Sequence, residues 1–89
     1  MKAFISVLGD DKIGIIHGVT TVLKKNRINI LDINQTLLQD NFAMVMLVDL
    51  KEMSVDFKQL KEELAVVGKE MELSINIQHE DLFNSMHHI

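Results

Sequence analysis

The sequence predicts an α+β sandwich in which a four-stranded antiparallel sheet carries two helices on one face. Three observations support this fold class. Four segments have the apolar runs or the alternation of strands, two have the apolar period of helices, and the six follow one another as β-α-β-β-α-β. Neither proline nor a low-complexity tract interrupts the 89 residues. We therefore expect one domain over residues 2–79, followed by a short C-terminal tail over residues 80–89.

The first half of the chain is predicted to form a strand, a helix and a second strand. Residues 2–8 are an apolar run that ends before Gly9, which is typical of a buried strand. Residues 27–39 are predicted to form a long strand, because polar side chains interleave with Ile and Leu. Between these strands a helix is expected over about residues 13–26. Its apolar side chains recur on one stripe, which consists of Ile15, Ile16, Val19, Val22 and Leu23.

The second half is predicted to add a hairpin strand, a helix and a final strand. Asp40 and Asn41 favour a tight turn, so residues 42–50 should pair with the preceding strand. Ser54 is expected to cap a helix that runs to about Gly68. The buried face of that helix is predicted to consist of Phe57, Leu60, Leu64 and Val67.

A last strand is predicted over residues 71–79, where apolar and polar side chains alternate cleanly. The tail could add one or two helical turns around Leu82, Phe83 and Met86. The complete order is that of a ferredoxin-like fold. Right-handed crossovers then place strands one and three in the centre of the sheet and strands two and four at its edges.

Strand three predicts self-association, because it is apolar on both faces. One row of its side chains consists of Phe42, Met44, Met46 and Val48, and the other consists of Ala43, Val45 and Leu47. Helices cover only one face of such a sheet, so a monomer would leave one row in water. We therefore expect a homodimer or a larger assembly. The alternative is that the C-terminal tail folds back over the sheet.

The composition excludes several classes of protein. No cysteine is present, which excludes disulfides, zinc-thiolate sites and cysteine nucleophiles. The net charge of −4 and the lack of Trp and Tyr argue against a nucleic-acid binder. The densest basic cluster, residues 24–27, is interpreted as cations that stabilise a helix C-terminus. No apolar run approaches the ~18–20 residues of a membrane span, and no signal sequence precedes the first strand. A cytoplasmic location is therefore expected.

The segment Gly9-Asp10-Asp11-Lys12-Ile13-Gly14-Ile15-Ile16 is the strongest candidate for a binding site. Here a strand breaks at a glycine and the chain enters a helix, so several N–H groups at the helix start have no intrahelical partner. Those donors and the helix dipole favour an anion such as a ligand carboxylate. Gly14 has no Cβ, so the backbone can approach a ligand closely.

No arrangement of residues in the sequence indicates catalysis or a metal site. The four histidines, His17, His79, His87 and His88, show no H-x₃-H or carboxylate–His spacing that would fix two ligands on one element. No Ser/His/Asp order or pair of inward carboxylates is evident. We therefore expect neither an enzyme nor a cofactor.

Two motifs together resemble the ACT domain, a small regulatory module of amino-acid metabolism with this same order of elements. The first is Asp11-Lys12-Ile13-Gly14-Ile15-Ile16 after strand one, and the second is Asn29-Ile30-Leu31-Asp32-Ile33-Asn34-Gln35-Thr36 on strand two. The resemblance covers about residues 2–79. As a free-standing copy, the chain is most similar to short bacterial and archaeal single-ACT proteins related to the glycine-cleavage repressor branch.

The resemblance implies that an amino acid or a similar metabolite binds at a subunit interface, between the first loop and a neighbouring subunit's second strand. The loop side would consist of Asp11, Lys12, Ile13, Gly14 and Ile15. The strand side would consist of Asp32, Asn34 and Gln35. The implied partners are a small molecule, a second copy of the chain and a regulated protein. Neither a membrane nor nucleic acid is an expected partner.

Structural roles compete with each of these assignments. Asp11 could simply cap the first helix, and Gly14 and Gly18 could simply allow that helix to pack closely on the sheet. Asp32 and Asn34 could protect an edge strand from unwanted pairing. A dimeric interaction module without a ligand, which docks a partner through strand three or the tail, is the alternative function.

Overall fold

The computed structural model describes residues 1–80 and confirms the predicted fold class. Its elements follow in the order β1 (Lys2–Asp10), α1 (Ile15–Lys25), β2 (Asn29–Leu38), β3 (Asn41–Asp49), α2 (Phe57–Met71) and β4 (Ser74–His79). Within these residues, neither helix has the length and apolar character needed to cross a membrane.

The sheet has the predicted order, β2-β3-β1-β4, and every pair of neighbours is antiparallel. The two strands with apolar side chains on both faces, β1 and β3, are therefore central. The polar strands β2 and β4 form the edges, as predicted. A register shift between Ile30 and Asp32 marks a bulge in β2 at Leu31. Beyond this bulge, Asp32 lies on the face of the sheet opposite to that of Ile30.

The core lies between the sheet and the two helices. The row of β3 that begins at Phe42 is buried there, with Ala3, Ile5 and Val7 of β1 beside it. The helices cover this row with the predicted residues, except that Ile16 is 39% exposed and that Phe57 and Val67 are only partly buried against the core. The core residues contributed by the helices are Ile15, Val19, Val22, Leu23, Leu60 and Leu64.

The other row of β3 lies on the side of the sheet opposite to α1 and α2, which we call the open face. It contains Val45, which is 41% exposed, between the half-buried Ala43 and Leu47. Phe4, Ser6 and Leu8 of β1 lie on the same face, opposite these residues in register. The expected self-association and the alternative of a covering tail both concern this face, and the tail lies outside the described residues.

The predicted N-cap of the second helix is wrong. Asp56, not Ser54, caps α2, and its carboxylate accepts a hydrogen bond of 2.8 Å from the Gln59 amide. The helix also continues past Gly68 to Met71 and ends at Glu72, which has a left-handed backbone conformation (φ 56°). Gly68 lies inside the helix, where a Cβ would come 2.9 Å from the Leu73 carbonyl and 3.5 Å from the Ile75 side chain.

A polar contact joins the end of α1 to the middle of α2. Asn26 is buried, and its side-chain amide donates to the Val22 carbonyl at 2.9 Å and to the Glu63 carboxylate at 3.0 Å. Lys25 and Gln59 also donate to Glu63, at 3.2 and 3.1 Å. The hydrogen bonds from Asn26, Gln59 and Lys25 lower the pKa of Glu63 to about 2. This carboxylate is therefore ionised in the folded protein near neutral pH.

Candidate functional site

The loop between β1 and α1 is held by two other parts of the fold. The Asp11 amide donates to the Asp40 carbonyl at 2.8 Å, which fixes the loop to the β2–β3 turn. The Lys12 ammonium donates to the carbonyl of Met71 at the end of α2. A cation beside the last carbonyls of a helix complements the negative end of its dipole. The loop thus connects the β2 side of the sheet to α2.

The N-terminus of α1 has no side-chain cap. Gly14 occupies the N-cap position with φ 89°, a left-handed conformation that favours glycine, and the first turn holds no acidic residue. Asp11 therefore does not cap the helix, although the sequence left that role open. Within residues 1–80 no side chain caps the N–H groups of the first turn, and these groups are suited to bind an anion at this end of α1.

The side chains on either side of Gly14 in sequence lie in different environments. Ile13 is fully exposed, whereas Ile15 is buried in the core. Of the predicted loop residues, Asp11, Lys12, Ile13 and Gly14 lie at the surface or near it. Ile15 can offer a ligand only its backbone N–H. Ile16 adds a half-exposed apolar side chain that the sequence had assigned to the core stripe.

Gly18 allows α1 to pack closely on α2. A Cβ at this position would lie 3.2 Å from the sulfur of Met71 and 3.5 Å from Val67. The close packing expected of Gly18 is therefore made against the other helix and not against the sheet. Gly14 lies farther away, since its Cβ would be 3.9 Å from the Met71 methyl group. Met71 accordingly contacts the loop through its carbonyl and α1 through its side chain.

The strand-side candidates of β2 lie on opposite faces of the sheet. Gln35 pairs with the buried Met44 and shares the helix-covered face with the loop. Asp32 and Asn34 pair with Leu47 and Val45, so they lie on the open face. There they line one side of a shallow depression of about 470 Å³. Of the three predicted strand residues, Gln35 alone lies on the same face of the sheet as the start of α1 within one chain.

Two apolar side chains on the helix side of β2 were missed as site residues. Ile33 and Leu37 flank Gln35 on the same face and are 40% and 59% exposed. The alternation of Ile33, Gln35 and Leu37 along the strand was visible in the sequence. Only the tertiary structure shows that α1 leaves them uncovered.

A second groove, of about 1150 Å³, runs between the outer side of α1 and the start of β2. Its floor is apolar, with Leu23, Ile28 and Ile30, and its rim is mainly basic and polar. The rim residues are His17, Thr20, Thr21, Lys24, Lys25, Arg27, Asn29 and Glu52. Lys24 and Lys25 lie in the last turn of α1, which confirms that this basic cluster complements the helix dipole.

The two histidines in the described part of the chain have separate surroundings. His17 is exposed on the rim of the groove. His79 stacks on Phe57, with 4.0 Å between the ring centroids. His87 and His88 lie outside the described residues. Within residues 1–80, no three histidine or acidic side chains come together as metal ligands.

The sequence and the structure of this chain are both similar to those of ACT domain proteins. A sequence model of the ACT domain matches residues 3–78. A UPF0237 protein of Methanocaldococcus jannaschii is 47% identical over 88 residues, which cover 99% of this chain and 98% of that protein. The solved structure of an ACT domain protein from Streptococcus pneumoniae superposes with a TM-score of 0.80 at 40% identity and covers 93% of each chain.

A more distant structural neighbour is described as a glycine cleavage system transcriptional repressor. It superposes with a TM-score of 0.74 at 19% identity and covers 86% of this chain but 44% of its own. At this identity the likeness shows a shared fold. The predicted resemblance to single-ACT proteins of bacteria and archaea is confirmed, and the repressor is a neighbour in fold.

Proposed function

The chain belongs to the ACT domain family, and from that premise we propose that it is a regulatory protein that binds an amino acid between two copies of itself. Domains of this family are typically regulatory and bind small ligands. The observation that carries the proposal is the N-terminus of α1 at Gly14, which has no side-chain cap. Beside it lie Ile33 and Leu37 of β2, which are exposed although they are on the helix side of the sheet.

The start of α1 provides a site for the ligand carboxylate. Its free N–H groups point out of the first turn, and no acidic side chain in that turn competes for them. The Lys12 ammonium, which is bound to the Met71 carbonyl, adds positive potential nearby. A carboxylate would therefore be stabilised at this point by fixed donors and by a neighbouring cation.

The ligand ammonium and side chain need partners of a different kind. Asp11 is exposed in the same loop and supplies a carboxylate for the ammonium. Gln35 of the partner subunit would supply an amide from across the interface. Exposed Ile13 and Ile16 offer apolar contact to the rest of the ligand. Asp32 and Asn34, which lie on the open face, are left out of this site.

The free edge of β2 supports association through this strand. The strand is ten residues long, and its outer edge pairs with no other strand within residues 1–80. Edge strands are commonly protected by lysine, proline or a covering element. In β2 the only charged residue is Asp32, and Leu31, Ile33 and Leu37 are exposed apolar side chains.

The charges at the two ends of this edge are opposite in sign. Asp10, Asp11 and Asp40 lie at the end where α1 begins, beside the single cation Lys12. Lys24 and Arg27 lie at the end where β2 begins; Arg27 is 3.9 Å from Glu52 there, and Lys24 forms no ion pair within residues 1–80. A two-fold axis that pairs β2 with its copy in antiparallel fashion brings the acidic end of one subunit to the basic end of the other. Such an isologous contact is the commonest way in which a protein forms a closed dimer.

A ligand that bridges the two subunits would act by stabilising the assembled state. It can shift the equilibrium only by the difference between its affinities for the two states. The Lys12 ammonium in the β1–α1 loop donates a hydrogen bond to the Met71 carbonyl at the end of α2. A change in the loop on forming the dimer would therefore be transmitted to that helix. A regulated protein could then recognise the assembled form.

A thermal-shift screen against the twenty amino acids tests the proposal. A ligand at 100 times its dissociation constant adds ~2.7 kcal/mol, which raises the melting temperature of a domain this size by several degrees. We expect a selective shift for one amino acid or a small group of similar ones. A flat panel, with a folded dimer demonstrated by light scattering, would overturn the amino-acid proposal in favour of an interaction module without a ligand.

A pair of charge-introducing variants tests the interface. Leu37→Glu places a carboxylate on the β2 edge and is expected to halve the mass of the assembly and to remove the ligand response. Val66→Glu is the matched control, because Val66 is equally exposed on α2, away from β2. A Leu37→Glu protein with unchanged mass would rule out the β2 edge as the interface.

A further inference from the structure

We propose that the amino acid bound by this protein has an acidic side chain, and that Lys24 and Arg27 of the partner subunit hold its side-chain carboxylate. The ligand is therefore aspartate or glutamate. This assignment rests on the proposed function, because it requires the ligand to lie between two copies of the chain. It is supported by the position of the groove between α1 and β2, by its charge and by the backbone at Arg27.

The groove lies at the end of the subunit where β2 begins. Its rim includes Lys24 in the last turn of α1 and Arg27 and Asn29 where the chain enters β2. Pairing of two β2 strands about a two-fold axis brings this end of one subunit to the end of the other at which α1 begins. The groove of each subunit therefore adjoins the turn at Gly14 of the partner subunit. A ligand that is held at that turn by its α-carboxylate directs its side chain toward the groove.

Two cations on the rim of the groove are available to a ligand. Lys24 is exposed, and its side chain forms neither a hydrogen bond nor an ion pair within residues 1–80. Arg27 lies 3.9 Å from Glu52, but both side chains are exposed, by 68% and 72%, so this pair contributes little and is readily exchanged. Lys25, in contrast, is held by Glu63 at 3.2 Å. Lys24 and Arg27 thus offer positive charge to a carboxylate.

The backbone conformation of Arg27 indicates that its side chain has a role beyond ending the helix. Arg27 follows α1 with φ 60°, a left-handed conformation in which glycine is the usual residue after a helix. Its amide donates to the Lys24 carbonyl at 3.2 Å, and glycine would form the same bond with less strain. Strained positions are concentrated at functional sites. The only arginine of the chain therefore occupies a position that costs stability and lies on the rim of the groove.

The apolar floor of the groove fits the loop of the partner subunit and the aliphatic stem of the ligand. Ile13, in the β1–α1 loop, is fully exposed within its own subunit. In the paired arrangement, Ile13 of the partner subunit lies over the floor formed by Leu23, Ile28 and Ile30. The groove, of about 1150 Å³, is larger than one amino-acid side chain needs, so it has room for both. The methylene groups of the ligand share this floor, and its carboxylate reaches the rim.

The charges on the rim disfavour the other classes of amino acid. A basic ligand would bring a third cation to Lys24 and Arg27, although Glu52 is the only carboxylate among the described residues that line the groove. An apolar ligand would remove water from the two cations without replacing it by a partner, which costs free energy of binding. A carboxylate accepts charge-assisted hydrogen bonds from both, and a guanidinium can bind it through two parallel bonds.

The thermal-shift screen separates this assignment from the proposed function. With the amino acids added as sodium salts against matched sodium chloride, we expect aspartate or glutamate to raise the melting temperature. Asparagine and glutamine have the same shape without the charge, and their dissociation constants should be at least about ten-fold higher. A selective shift for an apolar or basic amino acid would overturn the assignment and leave the proposed function intact. A flat panel would overturn both.

Two variants test the residues that select the acidic side chain. Lys24→Gln and Arg27→Gly should each raise the dissociation constant of aspartate or glutamate about ten-fold, measured by isothermal titration calorimetry. The dissociation constant of the corresponding amide, asparagine or glutamine, should change little. Because glycine suits the left-handed backbone, Arg27→Gly should lose affinity without losing thermal stability. A purely structural role of Arg27 would not produce that combination.

Two matched controls accompany these variants. Lys58→Gln makes the same change of charge on the exposed surface of α2. Glu72→Gly makes the same change of backbone at the left-handed residue after α2, where φ is 56°. Both controls should bind the acidic amino acid as the wild type does. Wild-type affinity in both Lys24→Gln and Arg27→Gly would overturn the assignment.

Mixing two defective proteins tests whether the loop and the groove of one site come from different subunits. Gly14→Val has a defective loop, and the double variant of Lys24→Gln with Arg27→Gly has a defective groove. After subunit exchange in an equal mixture, about half of the dimers are mixed and each has one intact site, so about one site in four should regain wild-type affinity. No regained site, with exchange demonstrated by energy transfer between labelled subunits, would overturn the assignment, because each chain would then form its site alone.

Discussion

The ammonium group of Lys12 donates a hydrogen bond to the main-chain carbonyl of Met71, the last residue of α2. The same methionine places its side chain against Gly18 of α1. One residue therefore joins the proposed binding loop, the helix that follows it and the end of the second helix. This contact lies at the same end of the sandwich as the Gly14 turn.

Replacement of Lys12 by methionine is expected to destabilise the fold. The variant keeps the length of the side chain but leaves the Met71 carbonyl without its charged donor. Hydrogen bonds that involve a charged group contribute about 1.5–3 kcal/mol, and we expect a loss at the lower end because Lys12 is only partly buried. Urea denaturation would measure it. Lys24→Met is the control, and a loss as large in that variant would contradict the assignment.

Two helical glycines should respond differently to replacement by alanine. Both substitutions gain about 1 kcal/mol of helix propensity. At Gly68 the new Cβ would lie 2.9 Å from the Leu73 carbonyl, a backbone atom that cannot move aside, so the stability should fall. At Gly18 it would meet the flexible thioether of Met71 at 3.2 Å, so the stability should stay level or rise. Equal melting temperatures for the two variants would refute this interpretation of the contacts.

The stability contributed by Glu63 should depend on pH in a defined window. Its pKa is lowered from 4.5 to about 2 by donors on Asn26, Gln59 and Lys25. A group with a lowered folded-state pKa stabilises the protein fully above its unfolded pKa and loses that effect as the pH falls toward the folded value. The gap in stability between wild type and Glu63→Gln should therefore be constant near pH 7 and shrink between pH 4.5 and 2.

Chemical denaturation of both proteins at several pH values would measure this gap. Glu62→Gln is the control, since Glu62 is exposed on the same helix and forms no hydrogen bond within residues 1–80. A gap for Glu63→Gln that persists unchanged at pH 2 would show that the carboxylate charge is not the source of the effect.

Replacement of Gly14 by valine should remove ligand binding. Its φ of 89° lies in a region that a β-branched residue adopts only with strain. The substitution should therefore distort the N–H groups at the start of α1 and cost about 1–2 kcal/mol of stability. Titration of the amino acid identified in the screen would measure binding. Asparagine adopts this conformation more readily than valine, so Gly14→Asn should be the more stable of the two variants. Undiminished affinity for the amino acid in Gly14→Val would exclude this site.

Much of the fold could be predicted because it depends on local patterns. The alternation in β4 and the two apolar rows of β3 specify which side chains share a face, and the structure agrees with both; only the structure shows that the row beginning at Phe42 faces the core. The cap of α2 was misassigned because Ser54 and Asp56 are both good N-cap residues. Which of the two begins the helix depends on the path of the chain after β3. The end of α2 was predicted at about Gly68, whereas the helix continues to Met71 and Gly68 allows a close contact with the Leu73 carbonyl.

The candidate site was less predictable, because it depends on which faces come together. The loop and its glycine were found from the break between strand and helix. On β2, the bulge at Leu31 changes the face on which each later residue lies, so Asp32 and Asn34 point away from the loop and Gln35 points toward it. A shift of one residue in a strand reverses every side chain after it, and the sequence did not reveal the bulge.

By itself the sequence determined the order of elements, the central position of β1 and β3 and the family. These follow from the period of the apolar residues and from short motifs, which act within a few residues along the chain. Only the tertiary structure decided that Lys12 binds the end of α2, that Gly18 serves the contact between helices and that two of the three strand candidates face the open side of the sheet. Those relationships join residues distant in sequence, and their geometry is fixed by packing and register rather than by local preference.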